Sequence, residues 1–222
     1  MGPHYIFFSG GIGVGKTTIM NGFKIMLNKS SYFIVREYID YHPIIGDLLL
    51  SALKRKEISD FDFQNYILDC YESQLIKIKN EQIILVERHP IEALEIFVAR
   101  CNAKMTDNEK TQLKDRIDFI CEKFNLPYLS DCNFNEYDTS LFSAKSIIDS
   151  LNVKINEAVS RNINTKIYGD ICYLTSNYED VEKRIRERGR PSEKNISGDY
   201  VRMILKYYDD YFAKLNFIDS DD

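Results

Sequence analysis

The sequence predicts an α/β fold in which a central parallel sheet is flanked by helices on both faces. An apolar strand at residues 5–8 runs directly into the glycine-rich sequence GGIGVGKTT at 10–18. A second run, IILV at 83–86, is typical of a strand buried on both faces, and helical patterns alternate with the strands. With 222 residues, of which 44% are hydrophobic, we expect a single domain over residues 1–222.

The segment after the first strand has the spacing GxxxxGK[ST] of a phosphate-binding loop. Glycines allow backbone N–H groups to point at nucleotide phosphates. Lys16 would bring a charge to the β- and γ-phosphates, and the Thr17 hydroxyl would be a Mg²⁺ ligand. The following helix, predicted at 16–28, directs its positive end at the same phosphates. The predicted nucleotide-binding residues are Gly10, Gly11, Ile12, Gly13, Val14, Gly15, Lys16, Thr17 and Thr18.

Two strands of the predicted sheet end in acidic residues. The strand at 33–36 is followed by Glu37, and the strand at 83–86 is followed by Glu87 and Arg88. Open parallel sheets bind ligands at the carboxyl ends of their strands. An acid after a hydrophobic strand is how phosphate-loop enzymes position Mg²⁺, so we expect Glu87 to be the metal residue and Arg88 to face the phosphates.

The remaining elements follow from hydrophobic periodicity. Residues 127–137 have the composition of a loop, and the acidic end of the chain, 219–222, is expected to fray. An apolar run predicts a strand at 171–174. Helical patterns lie at residues 42–53, 61–79, 91–100, 106–124, 143–161, 176–188 and 199–215.

Cap signals define the ends of two of these helices. Thr106 with Glu109, and Ser176 with Glu179, each have the spacing of a capping box. Gly189 is placed to end the second of these helices at Arg188.

The segment RIRERGRPSE, residues 184–193, concentrates arginines in and just after a helix. On its own it is typical of a solvated helix face, neutralised by Glu182 and Glu187. Next to a phosphate loop, an arginine lid is favoured instead, because mobile arginines that close over a nucleotide stabilise the transferring phosphoryl group and exclude water.

Composition excludes several classes of protein. The net charge of −5 argues against a surface that coats nucleic acid, and no apolar run is long enough to span a membrane. Because the first predicted strand begins at residue 5, we expect no signal peptide. The odd number of cysteines, without a CxxC pair, predicts buried free thiols in a reducing compartment and therefore a cytoplasmic protein. These are Cys70, Cys101, Cys121, Cys132 and Cys172.

The combination of GGIGVGKTT, Glu37, FDFQNY, VERHP and RIRERGRPSE resembles the deoxynucleoside kinase family. The resemblance covers residues 5–100 and 171–212. VERHPIEAL is most similar to the DRHP segment of the herpesvirus-type thymidine kinases, with Glu in place of Asp. The resemblance implies a phosphate-loop kinase fold, ATP and Mg²⁺ as cofactors, phosphorylation of a nucleoside 5′-hydroxyl in nucleotide salvage for DNA synthesis, and a homodimer.

The resemblance also implies roles for the matched residues at the phosphates. Glu37 looks like the general base, and a carboxylate within hydrogen-bond reach is what a weakly acidic hydroxyl requires. Arg184 resembles a lid residue near adenine. The residues implied in catalysis are Glu37, Lys16, Arg88, Arg188 and Arg190, and those implied in metal binding are Thr17 and Glu87.

A further set of matched residues concerns the nucleoside. Gln64 resembles the glutamine that pairs with the base, Ile67 and Phe97 resemble the residues that sandwich it, and Glu193 resembles the acid at the 3′-hydroxyl. Tyr71 and Ala93 stand where relatives that accept cytosine or purines carry a charged pair. A small residue leaves space for the thymine methyl group, so thymidine is the expected substrate.

The sequence departs from the family pattern at several places. His42 stands where the family has a tryptophan beside the base, and residues 130–164 have no obvious counterpart and are expected to form an inserted helix and loop. Two alternatives stay open. A thymidylate or other nucleoside monophosphate kinase, as the main activity or as a second one, would need extra cations, of which Arg36 is the obvious candidate. A non-catalytic nucleotide-binding protein would not depend on Glu37.

Overall fold

The computed structural model describes residues 3–26, 32–81, 83–99, 104–160, 169–194 and 196–218. Within these ranges five strands form one sheet, and each pair of neighbouring strands is parallel. The strands are β1 (His4–Ser9), β2 (Tyr32–Val35), β3 (Ile83–Glu87), β4 (Cys132–Asp138) and β5 (Gly169–Thr175). Their order across the sheet is β2-β3-β1-β5-β4, so β1 lies at the centre.

The helices pack on both faces of this sheet, which confirms the predicted fold class. They are α1 (Lys16–Met26), α2 (Tyr38–Tyr41), α3 (Pro43–Lys54), α4 (Asp60–Leu75), α5 (Asp107–Phe124), α6 (Ala144–Ser160), α7 (Tyr178–Arg188) and α8 (Gly198–Ile218). Short π and 3₁₀ segments lie at Ala93–Val98, Leu129–Asp131 and Pro191–Glu193. Within the described ranges, no helix is both long and apolar enough to cross a membrane.

Alternating residues of β1 supply two separate hydrophobic cores. Tyr5 and Phe7 pack into a core with α4, α5 and α8 on one face. Ile6 and Phe8 pack into a second core with α1, α6 and α7 on the other face. All four side chains are at most 1% exposed, as expected for a central strand of a doubly covered parallel sheet.

The prediction of a loop at residues 127–137 holds for 127–131, which lie outside the strands and α-helices, and was wrong for 132–137. Residues 132–138 form β4, which pairs in parallel with β5 from Cys132 to Asp138. Its sequence, CNFNEYD, is polar because the strand lies at the sheet edge, where Asn133 and Glu136 are exposed. The strand is stabilised by backbone pairing with β5 and does not need an apolar sequence. Its composition therefore resembled that of a loop.

Two predictions of helix geometry also need correction. The helix expected at 91–100 contains a π-helical segment at Ala93–Val98, and residue 100 lies outside the described ranges. The expected capping box of Ser176 is absent, because Asn177 is the N-cap of α7 and accepts from the Asp180 N–H at 2.8 Å. Asparagine competes well for this position.

Other predicted features are confirmed. Thr106 and Glu109 form both hydrogen bonds of the capping box at the start of α5. Gly189 follows Arg188 with φ of 63° and ends α7. Four cysteines are buried free thiols, and Cys101 lies outside the described ranges, as do residues 27–28 and 219–222. The single domain and the inserted segment at 130–164 stay predictions.

Candidate active site

A cavity of about 880 Å³ opens at the carboxyl ends of the central strands. Its walls come from the loop after β1, from the residues after β2 and β3, from α4 and from the segment that follows α7. The structure thereby brings together most of the residues singled out from the sequence. Those that line the cavity are Ile12, Gly13, Gly15, Lys16, Thr17, Thr18, Glu37, Gln64, Ile67, Tyr71, Glu87, Arg88, Ala93, Phe97, Arg184, Arg188, Arg190 and Glu193. Gly10, Gly11 and Val14 belong to the same loop without lining this cavity.

The loop after β1 has the conformation that its glycines permit. Gly10, Gly13 and Gly15 all have positive φ, at 133°, 77° and 106°. A Cβ atom on Gly10 would lie 2.3 Å from the carbonyl oxygen of Leu174, so a side chain cannot be accommodated there. The backbone can therefore curve tightly at the N-terminus of α1, and helix N-termini are suited to bind anions.

Lys16 is a buried cation held by this loop. Its Nζ donates to the carbonyl oxygens of Gly10 at 3.2 Å and Gly11 at 2.9 Å. Burial and, secondarily, the neighbouring Arg88 lower the pKa of Lys16 to about 8, against the attraction of nearby carboxylates. An anionic ligand would restore the favourable charge balance.

Thr17 and Glu87 supply hard oxygen atoms beside the loop. The Thr17 hydroxyl donates to Glu87 Oε1 at 3.0 Å and lies 3.4 Å from Asp40 Oδ2. Glu87 is 2% exposed, and its Oε2 atom has no hydrogen-bond partner among the described residues. Burial and the repulsion of Glu37 raise the pKa of Glu87. A hydroxyl with an under-paired buried carboxylate is a donor set that fits Mg²⁺.

Within the described residues no group of three or more His, Cys, Asp or Glu side chains is arranged to hold a metal ion by itself. Mg²⁺ in nucleotide sites does not require such a group, because one or two carboxylates and the substrate phosphates complete its coordination.

Glu37 and Arg88 form an ion pair within the cavity wall. Arg88 Nε donates to Glu37 Oε1 at 3.0 Å. Although burial opposes ionisation, Arg88 and Lys16 hold the pKa of Glu37 below its usual range. Burial likewise disfavours charge on Arg88, but Glu37 and Glu92 raise its pKa. Both side chains are therefore ionised at neutral pH.

The backbone of Arg88 adopts an unfavourable conformation. Its φ is 69°, in the left-handed region that residues with a Cβ rarely occupy. Such strain costs about 1–3 kcal/mol and is often found at functional sites. Contacts around the side chain stabilise it: Arg88 Nη1 donates to the Gly10 carbonyl oxygen at 2.7 Å and contacts Tyr208 Oη and Glu92.

The far end of the cavity is largely apolar and contains one unsatisfied amide. Gln64 is 6% exposed, and its Oε1 atom has no hydrogen-bond partner among the described residues. Tyr71 donates its hydroxyl hydrogen to the Glu87 carbonyl oxygen at 2.6 Å. An acceptor without a partner among apolar walls suits a flat ligand that carries an N–H group. The apolar side chains that line the cavity include Ile39, Leu50, Leu53, Phe63, Ile67 and Phe97.

The arginines at the end of α7 and just after it are paired with carboxylates. Arg188 donates twice to Glu193, at 3.0 and 2.5 Å. Arg190 lies 3.6 Å from the same carboxylate and forms an ion pair with Asp40. Glu193 is therefore the shared acceptor of the segment that was predicted to be a lid.

Arg184 is held against the phosphate loop instead. Its Nη1 donates to Thr139 Oγ1 at 2.9 Å, and its Nη2 donates to the Thr139 carbonyl oxygen at 3.1 Å. Thr139 Oγ1 in turn donates to the Val14 carbonyl oxygen at 2.9 Å. Arg184 thus ties the loop after β4 to the phosphate loop.

Two residues considered from the sequence lie outside the cavity wall. Arg36, the candidate cation for an acceptor phosphate, donates to Asn21 Oδ1 at 3.1 Å and is not among the lining residues. His42 is exposed, with its ring 4.1 Å from that of Tyr41. Tyr38 and Ile39 line the cavity in this part of the chain.

Sequence reasoning missed a buried network behind Arg88. Glu92 is fully buried and accepts hydrogen bonds from Ser9 Oγ, His89 N and Tyr208 Oη at 2.5, 2.9 and 2.7 Å. Burial raises the pKa of Glu92, although Arg88 opposes this. Arg88 precedes the helical segment, so its spacing of four residues from Glu92 is not a helix-face signal, and no rule of sequence spacing would pair the two residues.

Asp40 was also missed. It lies three residues after Glu37 and contacts both Thr17 and Arg190. Asp40 itself is not among the residues that line the cavity. The acid at this short distance from Glu37 was visible, but its contacts depend on the short helix α2, which has no periodic pattern long enough to predict.

A family model described as deoxynucleoside kinase matches residues 6–131 and 137–220. Among curated proteins, no sequence matches this chain. Similar solved structures include the deoxyadenosine kinase from M. mycoides with bound dATP, with 21% identity and a TM-score of 0.54, covering 95% of this chain and 84% of that one. The structure of that enzyme with the products dCMP and a flexible dCDP has 18% identity and a TM-score of 0.56, covering 95% and 83%. At these identities, the similarity shows the shared fold.

Proposed function

Because this chain belongs to the deoxynucleoside kinase family, we propose that it transfers the γ-phosphoryl group of ATP to the 5′-hydroxyl of a deoxynucleoside, with thymidine as the main substrate. The observation that carries this proposal is the Glu37–Arg88 ion pair of 3.0 Å in the cavity wall. A base and a cation lie together there, and the same cavity is lined by the phosphate loop and by the apolar residues around Gln64.

Glu37 is proposed to accept the proton of the 5′-hydroxyl. As the new oxygen–phosphorus bond forms and the bond to ADP breaks, the proton moves to the Glu37 carboxylate. Lys16 and Arg88 would stabilise the negative charge on the phosphate oxygens, in a setting where burial strengthens their field. Thr17 and Glu87 would hold Mg²⁺, which when bound neutralises charge on the phosphates.

The arginines in α7 and just after it would contribute once nucleotide is bound. Arg188 and Arg190 now contact Glu193 and Asp40, so each must exchange a carboxylate for phosphate oxygens. Arg184, which lies against the loop carbonyls, is proposed to contact adenine. Closure of this segment would also keep water away from the reacting phosphate.

Thymidine is proposed from the far end of the cavity. The unpaired Oε1 of Gln64 would accept the N3–H of thymine, and its amide group would donate to a ring carbonyl. Ile67 and Phe97 would sandwich the base. Tyr71 and Ala93 carry no charge that could pair with an exocyclic amine, and Ala93 leaves room for a methyl group. Glu193 would bind the 3′-hydroxyl.

The alternative of a thymidylate kinase has less support. An acceptor phosphate requires an additional cation near Glu37, and Arg36 donates to Asn21 rather than lining the cavity. A homodimer and a cytoplasmic location remain predictions from the family resemblance and the thiol content.

The test is a steady-state assay with Mg²⁺-ATP against thymidine, deoxycytidine, deoxyadenosine, deoxyguanosine and thymidylate, compared by kcat/KM. We expect thymidine to lead. Activity with thymidylate alone would contradict the nucleoside assignment, and a clear preference for deoxyadenosine would contradict the proposed reading of Tyr71 and Ala93.

The matched variant is Glu37→Gln, which preserves the size of the side chain and removes the base. We expect kcat to fall by roughly 10²–10⁴-fold, with ATP binding retained. A variant that keeps wild-type kcat would exclude Glu37 as the base.

A further inference from the structure

Asp40 contacts both a candidate metal residue, Thr17, and the arginine-rich segment at 184–193 (the arginine segment). Its Oδ2 atom lies 3.4 Å from the Thr17 hydroxyl oxygen, and its Oδ1 atom forms an ion pair with Arg190. The Asp40 side chain is 18% exposed and the Arg190 side chain 21% exposed, so the pair is largely shielded from solvent. Each oxygen of one carboxylate thus contacts a different part of the site.

The three oxygen atoms around Thr17 have the spacing of metal ligands. Neighbouring ligands of octahedral Mg²⁺ lie about 3 Å apart, because each is about 2.1 Å from the ion. The Thr17 oxygen lies 3.0 Å from Glu87 Oε1 and 3.4 Å from Asp40 Oδ2. Asp40 therefore approaches the Thr17–Glu87 pair closely enough to share an ion or one of its waters.

The charges at this point are not balanced. The hydroxyl of Thr17 has one hydrogen to donate, yet two carboxylates face it. Glu87 has a buried oxygen with no hydrogen-bond partner among the described residues. The cation paired with Asp40 is Arg190, which belongs to a different segment.

We propose that Asp40 is a second carboxylate of the Mg²⁺ site, acting directly or through one water, and that the ion replaces Arg190 as its counterion. This rests on the proposed function, since the ion enters with ATP. Arg190 would then be released toward the phosphates at the moment when the metal nucleotide is bound. Binding of the metal would thus replace the Asp40–Arg190 ion pair by an Asp40–Mg²⁺ pair. The same exchange would allow the arginine segment to close over the phosphates.

The test measures affinity for a fluorescent ATP derivative in the presence of Mg²⁺ and of EDTA, without nucleoside. The ratio of the two affinities reports the contribution of the ion and does not require turnover. For Asp40→Asn we expect this ratio to fall roughly 10-fold, while affinity in EDTA is unchanged or higher because Arg190 has lost its carboxylate partner. An unchanged ratio, or an equal loss in both conditions, would overturn the proposal.

Two further variants separate the possible failures. Glu87→Gln should also lower the ratio, whereas Asp149→Asn, an exposed acid on α6, should not. If Glu87→Gln lowers the ratio and Asp40→Asn does not, the role of Asp40 fails and the proposed function stands. If neither variant lowers it, the metal site of the proposed function fails as well.

The exchange itself is tested with Arg190→Gln by titrating Mg²⁺ without nucleotide, so that contacts of Arg190 with phosphate do not enter. Because the ion no longer has to displace a cation from Asp40, we expect the affinity for Mg²⁺ to rise. An affinity that is unchanged or lower would overturn the exchange of counterions.

Discussion

Lys16 is a buried cation in the loop that we propose binds the phosphates of ATP. Its pKa of about 8 in the folded protein lies below the 10.5 of an ordinary lysine, with burial as the main cause. The folded chain therefore binds fewer protons than the unfolded chain between these values. The contribution of Lys16 to stability is a penalty below about pH 8 that is relieved as pH rises toward 10.5.

Binding of ATP should reverse this shift, because phosphate charge favours the protonated amine. We therefore expect Lys16 to take up a proton when ATP binds above about pH 8. The affinity of the protein for ATP should fall between about pH 8 and 9.5. Calorimetry in two buffers of different ionisation enthalpy measures the uptake.

Lys16→Met serves as the control, and its residual binding should lack this pH dependence. Proton uptake of the same size in the variant would assign the titration to another group.

At the residue scale, the sequence was most informative where a motif has a fixed spacing. The phosphate loop, Glu37 and Arg88 follow strand ends, and parallel strands bring such ends together. Glu92 could not be placed with the same rules, because an acid on a helix is more often exposed than fully buried. Its burial depends on Ser9 and Tyr208, which come from distant parts of the chain.

At the level of single elements, the capping box of α5 gives a defined test. Thr106 Oγ1 accepts from the Glu109 N–H at 3.3 Å, and Glu109 accepts from the Thr106 N–H at 2.7 Å. For Thr106→Ala we expect a loss of about 1 kcal/mol in the free energy of unfolding and a melting temperature lower by about 2–4 °C.

Thr111→Ala in the same helix is the matched control. Thr111 is exposed in the helix body, where alanine is at least as favourable, so no comparable loss is expected. Equal losses in the two variants would exclude the cap as the cause.

Elements with strong periodicity were predictable, and elements that depend on tertiary pairing were not. α5 has a cap signal and an apolar face, so both its ends matched the prediction. β4 is polar and stays a strand because β5 pairs with it. The π-helical turn at Ala93–Val98 has the composition of an α-helix, so only the structure reveals the wider turn.

At the scale of the whole molecule, α8 connects one hydrophobic core with the candidate site. Phe212 is fully buried and stacks on Tyr173, with ring centroids 4.5 Å apart. Its neighbour on the same helix face, Tyr208, donates to Glu92 and contacts Arg88. Packing of α8 therefore holds the side chain of Arg88 in place through Tyr208.

Phe212→Ala should remove this support and leave a cavity. We expect a loss of about 3–5 kcal/mol in the free energy of unfolding, measured with urea. Phe119→Ala, at a side chain that is 54% exposed, should lose far less. Similar losses would show that the core on this face is not organised around Phe212.

The position of β4 at the end of the sheet also bears on how the protein behaves at high concentration. Within the described ranges β4 pairs on one side only, with β5, so its outer backbone groups could pair with a strand of another molecule. Glu136 and Asp138 place negative charge along this edge. Repulsion between such edges should disfavour strand-to-strand association, so we expect the polar residues that gave β4 a loop-like composition to oppose aggregation of the folded protein.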